Sequence, residues 1–436
     1  DDAELHDRAS SVIIAAFEVG DHVDAVIADA IVDGMSRRRP GWSPTTVATD
    51  PTELSLLAIR EDHNLSLGTG TLADRVDAAR QLHACHATVV QIPAALVTTT
   101  REAIDSHAQR AVDRFTKEHF DGASCVAAHR PGTFHLAGVA SSPAITAVIP
   151  TAGTPGPDGA PMVEHAIRSA LAASPQMSVI VVIGDEYVGE PAFADPRVSL
   201  VHRGPGPFSF SAAVNTGILN ATSELVLLLN DDVSADDPAW CDQMSVHFRD
   251  PSVGVVGSLL RYPDGSIQHA GVVLDDARPL HSFVGRAVDE LSHQHADVAR
   301  DVIAVTGACM LIRRRDALAV GGFSTEFPLS FNDIDFCLKV RRMNQRVVIE
   351  PGAELTHHES ASREASTEPW EWDRYIGRWG HVEDPWYHPG HHRPDDPHRL
   401  ARNADHLDPA QVPFIAEPRD TTIRCRVHHS RIPHAG

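Results

Sequence analysis

An α/β fold with a mostly parallel central sheet is predicted by three features of this 436-residue sequence. Short apolar runs alternate with stretches of helical period between residues 144 and 221, the pattern of βαβ units. The runs are apolar at successive positions, as in strands buried on both faces. The clearest, Leu225 to Leu229, is too short for an ordinary helix. It ends abruptly at Asn230-Asp231-Asp232, groups that cannot stay buried unpaired. Ligands of open α/β sheets bind beyond the carboxyl ends of the strands. Carboxylates there are hard oxygen ligands of the kind Mg2+ or Mn2+ takes, commonly shared with substrate phosphates. The plainer reading is a strand-end turn, where Asn and Asp are common.

Taken in order, residues 1–142 carry the weaker pattern and form a smaller α/β segment. Residues 12–17, 23–27 and 56–59 read as short strands. Leu72, Val76, Ala79 and Leu82 predict a helix over 72–86, followed by a second over 101–118. Gly68-Thr69-Gly70-Thr71 lacks the Lys of a phosphate loop and the spacing of a dinucleotide fingerprint, so it reads as a turn. Pro131-Gly132 and Ser141-Ser142-Pro143 are breakers that set a boundary at 142. Beyond it come a strand over 145–149 ending at Pro150-Thr151, a Gly- and Pro-rich loop, and a helix over 162–173. Strands over 178–183 and 198–201 follow, then a helix over 210–221 with Ser209 as N-cap.

After Asp232 the alternation loosens. Asp237-Pro238 suits the N-cap and first turn of a helix whose Trp240, Met244 and Phe248 face inward. Residues 253–256, 267–274 and 304–312 are strand-like, and Pro263-Asp264-Gly265 turns a hairpin between Leu260 and Ile267. Asn332 reads as the N-cap of a helix running to Met343. Asp333 and Asp335 then fall in its first turn, where the helix dipole favours negative charge. A strand over 346–350 leads into Thr356-His357-His358-Glu359-Ser360. Residues 389–436 are polar, rich in Pro and His and without period, a tail of loop or disorder.

A formal charge of −22 argues against nucleic acid as the main partner. No apolar span has the length of a membrane helix. The chain opens Asp1-Asp2 and shows no signal peptide, as in a fragment or processed form. Six cysteines without a C-x-x-C pair read as the reduced thiols of a cytosolic protein.

Three polar clusters stand at strand or helix ends: Asn230-Asp231-Asp232, Asn332-Asp333-Ile334-Asp335 and His357-His358-Glu359. Joined, they suit transfer from a diphosphate-activated donor. A divalent cation would neutralise the leaving diphosphate, held by one aspartate and a neutral imidazole. A further carboxylate must accept the proton of the attacking hydroxyl, and Asp333 at a helix N-terminus stays ionised for that task. Each cluster has a plain explanation too. Asp333 and Asp335 complement a helix dipole, the histidines lie on the surface, and Trp379, Trp386 and Tyr387 pack rather than stack on a sugar. Only their conjunction favours chemistry.

The words Ala147-Val-Ile-Pro-Thr151, Phe208-Ser-Phe-Ser-Ala-Ala-Val-Asn-Thr-Gly217, Leu229-Asn-Asp-Asp-Val233 and Ile267-Gln-His-Ala-Gly271 occur in this order. Val305-Thr-Gly-Ala308, Val320-Gly-Gly-Phe323, Phe331-Asn-Asp-Ile-Asp-Phe-Cys-Leu-Lys339, His357-His-Glu-Ser-Ala-Ser-Arg363 and Asp384-Pro-Trp-Tyr-His-Pro389 continue it. Together they resemble a GT-A fold glycosyltransferase of family 2, the inverting, nucleotide-sugar-dependent class, and within it the bacterial rhamnosyl- and O-antigen-type enzymes.

The resemblance implies a Rossmann-like GT-A domain over 143–388, with Pro150, Thr151, Asp185, Asn215 and Asp231 on the nucleotide sugar. It implies Asp232 and His357 on Mg2+ or Mn2+, and Asp333 as general base. Asp335, His269 and Trp379 become acceptor-side or supporting residues. The acceptor would be a hydroxyl of a glycan or lipid-linked carrier, and the setting polysaccharide or cell-envelope synthesis in the cytoplasm, peripheral to the inner membrane face. Two departures touch the nucleotide side. Ile183 stands where the family usually has a base-reading Asp, with Asp185 as its substitute, and the loop over 152–159 is unusual.

Residues 1–142 resemble the later half of another such domain through Asp24-Ala-Val-Ile-Ala-Asp29, Asp33-Gly34, Arg39-Pro-Gly-Trp-Ser-Pro44 and Gln91-Ile-Pro93. Two rival readings remain. A sugar-1-phosphate nucleotidyltransferase would need an Arg or Lys between Thr151 and Pro161, where none occurs. A GT-A-like scaffold that has lost donor binding would serve in carbohydrate binding or interaction.

Overall fold

The two large sheets are explained by apolar runs that bury two faces at once. The structure is a computed structural model that describes residues 4–19, 23–33, 35–37, 42–60, 71–100, 106–128, 132–138, 143–156, 159–187, 193–275, 277–287, 296–358, 367–380, 382–386 and 419–420. The N-terminal unit contains β1 (Glu4–Leu5), α1 (Ala9–Val19), β2 (Ala25–Val32), β3 (Met35–Arg37), α2 (Pro44–Thr49) and β4 (Leu57–Ile59). It continues with α3 (Leu72–Ala84), β5 (Val89–Thr99), α4 (Ser106–His119) and the small ladder β6 (Ser124–Ala127) and β7 (Phe134–Ala137).

Residues 12–17, expected as a strand, lie inside α1. Val12, Ile13, Ala16 and Phe17 fall on one helical face that packs on the sheet, and Ile14 points to solvent. Thr71 is the N-cap of α3 in a reciprocal capping box with Asp74. Positions 68–70 of the expected turn, and 101–105 of the expected second helix, fall outside the described residues.

The larger unit contains β8 (Ile145–Pro150), α5 (Met162–Ala173), β9 (Ser178–Ile183), β10 (Val198–His202), α6 (Phe210–Asn220), β11 (Leu225–Leu229), β12 (Val233–Ser234) and α7 (Trp240–Ser245). Then come β13 (Val253–Arg261), β14 (Ile267–His269), β15 (Val272–Asp275), β16 (Arg278–His281), β17 (Arg300–Asp301) and β18 (Cys309–Arg313). The last elements are α8 (Arg314–Ala319), α9 (Asn332–Arg342), β19 (Arg346–His357) and α10 (Pro369–Trp379). The expected tail lies outside the described residues except for β20 (Arg419–Asp420), which pairs with β5.

The large sheet runs β10-β9-β8-β11-β18-β13-β19-β12. Its first three pairings are parallel, as the alternation predicts. The second half is mixed, because β18 lies antiparallel to both β11 and β13. A parallel return needs a crossover, usually helical, and no helix lies between β13 and β18 among the described residues. Val148, Val226 and Leu228 face one core with α6 and α9; Ala147, Ile149, Leu227 and Leu229 face the other with α5 and α7. Gly217 lets α6 close on β8: a Cβ there would meet Val148 at 2.1 Å.

Two helix starts differ from expectation. The N-cap of α9 is Phe331, in the left-handed region at φ 59°, and Asn332 is the first helical residue. Trp240 opens α7, while Asp237 accepts the Ala239 amide in the preceding turn (2.9 Å).

One set of pairings occurs twice. β13 is antiparallel to β14 and β18 and parallel, across a bulge, to β19. β2 is likewise antiparallel to β3 and β4 and parallel, across a bulge, to β5. The helices before the parallel partners, α9 and α3, both end in a left-handed residue, Asn344 (φ 60°) and His86 (φ 57°). Later helices return equivalent ion pairs, Arg378 to Asp335 (2.9 Å) and Arg114 to Asp77 (3.0 Å). Counted from the left-handed residue, Arg75 occupies the place of Asp333.

The units meet over buried charge. Arg346, at the start of β19, donates to Asp301 (2.8 Å), to Asp250 and to Thr45 of α2 (2.9 Å). His119 of α4 lies 2.8 Å from Asp250. Burial alone would raise the Asp250 carboxyl, but Arg346 and His119 hold it well below the usual carboxylate range. Removing one member of such a network leaves charges buried and unpaired. Arg346→Met is therefore expected to cost about 3–5 kcal/mol, read by urea denaturation. Nearby His83 is pushed down to about 3 by burial and by His119. The unfolded chain takes a proton on His83 below pH 6.5 that the folded chain refuses until about 3. Stability should accordingly fall as pH drops through that window, measured as thermal midpoint against pH.

Candidate active site

Strand pairing explains why residues far apart in sequence meet. β12 follows Asp232 directly and pairs antiparallel with the end of β19, setting Val233 opposite His357. The His358 amide donates to the Asp232 carbonyl (2.9 Å). Oδ1 of Asp232 then lies 3.1 Å from Nε2 of His357. Nδ1 of His357 is 2.6 Å from the Gln268 amide oxygen, an acceptor, so Nδ1 carries a proton and, in the neutral ring, the lone pair is on Nε2. Asp232 Oδ1 is buried without a hydrogen-bond partner. In the neutral ring that lone pair faces the carboxylate oxygen, and a cation lying against both relieves their repulsion, so the donor set fits Mg2+ or Mn2+. No third His, Cys, Asp or Glu joins this pair among the described residues. Further positions would fall to substrate oxygens and water.

The neighbouring acid is tied to the first strand. Thr151, just past β8, donates its hydroxyl to Asp231 (2.6 Å), and burial pushes the Asp231 carboxyl up to about 6. The turn before β18 links this edge to Asp333. Asn230 donates to the Ala308 carbonyl (2.9 Å), and the Gly307 amide donates to Oδ2 of Asp333 (3.0 Å). Oδ1 of Asp333 takes the amide of Ile334 (2.8 Å). The carboxylate is half-buried and held by two amides at a helix start.

The family described as glycosyltransferase-like family 2 matches residues 143–381, more than half of the chain. The chain belongs to this family. Its relatives include the uncharacterized protein y4gI of Sinorhizobium fredii, 35% identical over 55% of this chain and 25% of that protein. The O-antigen biosynthesis protein RfbC of Myxococcus xanthus is 34% identical over 42% of this chain and 15% of that protein. The N-acetylglucosaminyl-diphospho-decaprenol L-rhamnosyltransferase of Mycobacterium tuberculosis is 24% identical over 46% of this chain and 73% of that protein. The chain spans a quarter or less of the first two.

Within the family 2 domain, Thr151, Asp231, Asp232 and His357 gather at one edge of the sheet, with Pro150 ending β8 beside them and Asp333 across the 306–308 turn. The other expected site residues have partners of their own. Asn215 holds the Phe323 backbone, its amide group donating to the carbonyl and accepting from the N–H, both at 2.8 Å. Trp379 is 1% exposed and donates to Asp335 (3.0 Å), so it packs instead of stacking on a sugar. Asp335, wholly buried among Trp379, Arg378 and Lys339, joins α9 to α10 and supports the site from beneath. His269 is also fully buried; its Nε2 accepts the amides of Gly271 and Thr306 (3.3 Å each). Burial drives its pKa well below the ordinary value, keeping the ring neutral. Asp185 is exposed at the end of β9, its carboxylate 3.4 Å from the Gly206 amide, while Ile183 packs toward the core. Glu359 lies outside the described residues.

Two supporting residues went unnoticed in the sequence. Gln268 sat in plain view inside the Ile267-Gln-His-Ala-Gly271 word. Glu371 gave no signal, since a Glu in a first helical turn reads as a dipole complement. In the structure it is buried and accepts the amides of Leu329 (3.2 Å) and Ser330 (3.0 Å), fixing the turn before Phe331. Glu371→Ala should cost about 1–3 kcal/mol for the stranded amides, read as a lower midpoint in urea.

Proposed function

We propose that the protein is an inverting, metal-dependent glycosyltransferase that moves a sugar from a nucleoside diphosphate to a hydroxyl of a glycan or lipid-linked acceptor. The buried Asp232 oxygen 3.1 Å from Nε2 of His357, with Nδ1 engaged by Gln268, carries this reading. Mg2+ or Mn2+ held there would neutralise the charge of the departing diphosphate. Thr151 and Asp231 line the edge where the nucleotide would lie, beyond the ends of the parallel strands. Asp333 takes the proton of the acceptor hydroxyl. The hydroxyl oxygen bonds to the anomeric carbon as the bond to the diphosphate breaks, and configuration inverts in that single displacement. Asp185 is the candidate for reading the base.

The names of the relatives, O-antigen biosynthesis and a decaprenol-linked rhamnosyl transfer, favour an envelope polysaccharide acceptor and a hexose or deoxyhexose donor. No helix among the described residues is long and apolar enough to cross a membrane, so work at a membrane face would be peripheral for this region. The N-terminal unit is read as the acceptor-side half of a second, degenerate domain that serves as scaffold. Arg75 stands where Asp333 stands, and β5 carries no His, Asp or Glu.

The test is a screen of nucleotide sugars against lipid-linked and oligosaccharide acceptors, scored by released nucleoside diphosphate with Mn2+ or with EDTA. Acceptor-dependent release abolished by EDTA is expected. Release indifferent to EDTA would overturn the metal assignment, and tight nucleotide-sugar binding with no release would favour the scaffold reading.

A further inference from the structure

A histidine holds a metal only through a nitrogen that carries a lone pair, so the location of its one proton decides whether it binds. For His357 that choice is made by β14. Gln268, 5% exposed, sets its amide oxygen 2.6 Å from Nδ1, and an amide oxygen can only accept. Nδ1 must carry a proton, and in the neutral, metal-binding ring Nε2 is left bare toward Asp232.

Gln268 is itself held in place. β14 pairs with β13 through Leu260 opposite His269 and Arg261 opposite Ile267. The next residue along, His269, is pinned on its far side by the Gly271 and Thr306 amides. One short strand thus steadies both the cation pair and the turn whose Gly307 amide holds Asp333.

We infer that Gln268 is a positioning residue that fixes the cation-binding tautomer of His357, so divalent-cation affinity depends on a hydrogen-bond acceptor at position 268. This rests on the reading of Asp232 and His357 as the cation pair. Partners of this kind, one step removed from a metal, typically change affinity by about 10- to 100-fold when lost.

The experiment titrates Mn2+ into the full chain in the presence of inorganic pyrophosphate, following free Mn2+ by electron paramagnetic resonance, with no turnover required. Gln268→Leu should weaken Mn2+ by about 10- to 100-fold. Gln268→Glu, which keeps an acceptor, should stay within a few-fold of the natural chain. Metal-free thermal midpoints of both variants monitor folding, and Gln268→Asn, whose shorter arm withdraws the oxygen, replaces the Leu variant if that one fails to fold. Asp232→Ala reports the pair itself. Mn2+ binding that is absent from the natural chain, or indifferent to Asp232→Ala, overturns the cation-pair reading. Binding that needs Asp232 yet is unchanged in Gln268→Leu, or is not kept by Gln268→Glu, overturns the role of Gln268 alone.

Discussion

Asp333→Asn is expected to lower turnover by about 100- to 10,000-fold, the range of a general base's contribution, with donor affinity unchanged. The substitution keeps shape and removes the proton acceptor. The amide oxygen can still take the Ile334 amide, but its NH2 group then confronts the Gly307 N–H that now bonds Oδ2. A small loss of stability is therefore expected as well. Transfer rate measured alongside calorimetric donor binding separates the effects: kcat should collapse while the dissociation constant holds. Turnover near the natural value would mean that another group takes the proton.

Asp232→Ala should abolish the cation-dependent part of donor binding. Among the described residues only His357 would remain to hold the ion. The loss should exceed the roughly 10- to 100-fold typical of an outer partner. Titrating a nucleoside diphosphate with Mn2+ and with EDTA gives a sharp criterion: the variant with Mn2+ should bind no better than the natural chain with EDTA. Natural affinity in the variant would remove Asp232 from the cation site.

The nucleotide-side half of the fold was legible because its signals are local. A run such as Leu225 to Leu229 buries both faces wherever it sits, and the helices beside it have a clear period. The second half depends on where strands return. Nothing near Cys309 tells that β18 runs against both neighbours. The same holds for the site. Strand-end acids singled out Asp231 and Asp232 as candidates, and a helix start singled out Asp333. The partners of Asn215 and Trp379 are more than forty residues away, so a sequence cannot show that their polar atoms are already spent. In α1, burial of one face outweighed the β-branched residues Val12, Ile13 and Ile14.

β19 begins at Arg346 and ends at His357, so the clasp between the units and the proposed cation pair stand at opposite ends of one strand. Anyone trimming this polypeptide to a minimal catalyst by deleting its first 142 residues would strip Thr45 and His119 from that lower end. An arginine and two aspartates built for a dry seam would then stand open to water. Water suits those charges, but the same cut bares apolar groups such as Val246, which packs in the N-terminal core, so a truncated version should aggregate through that face unless it is made polar.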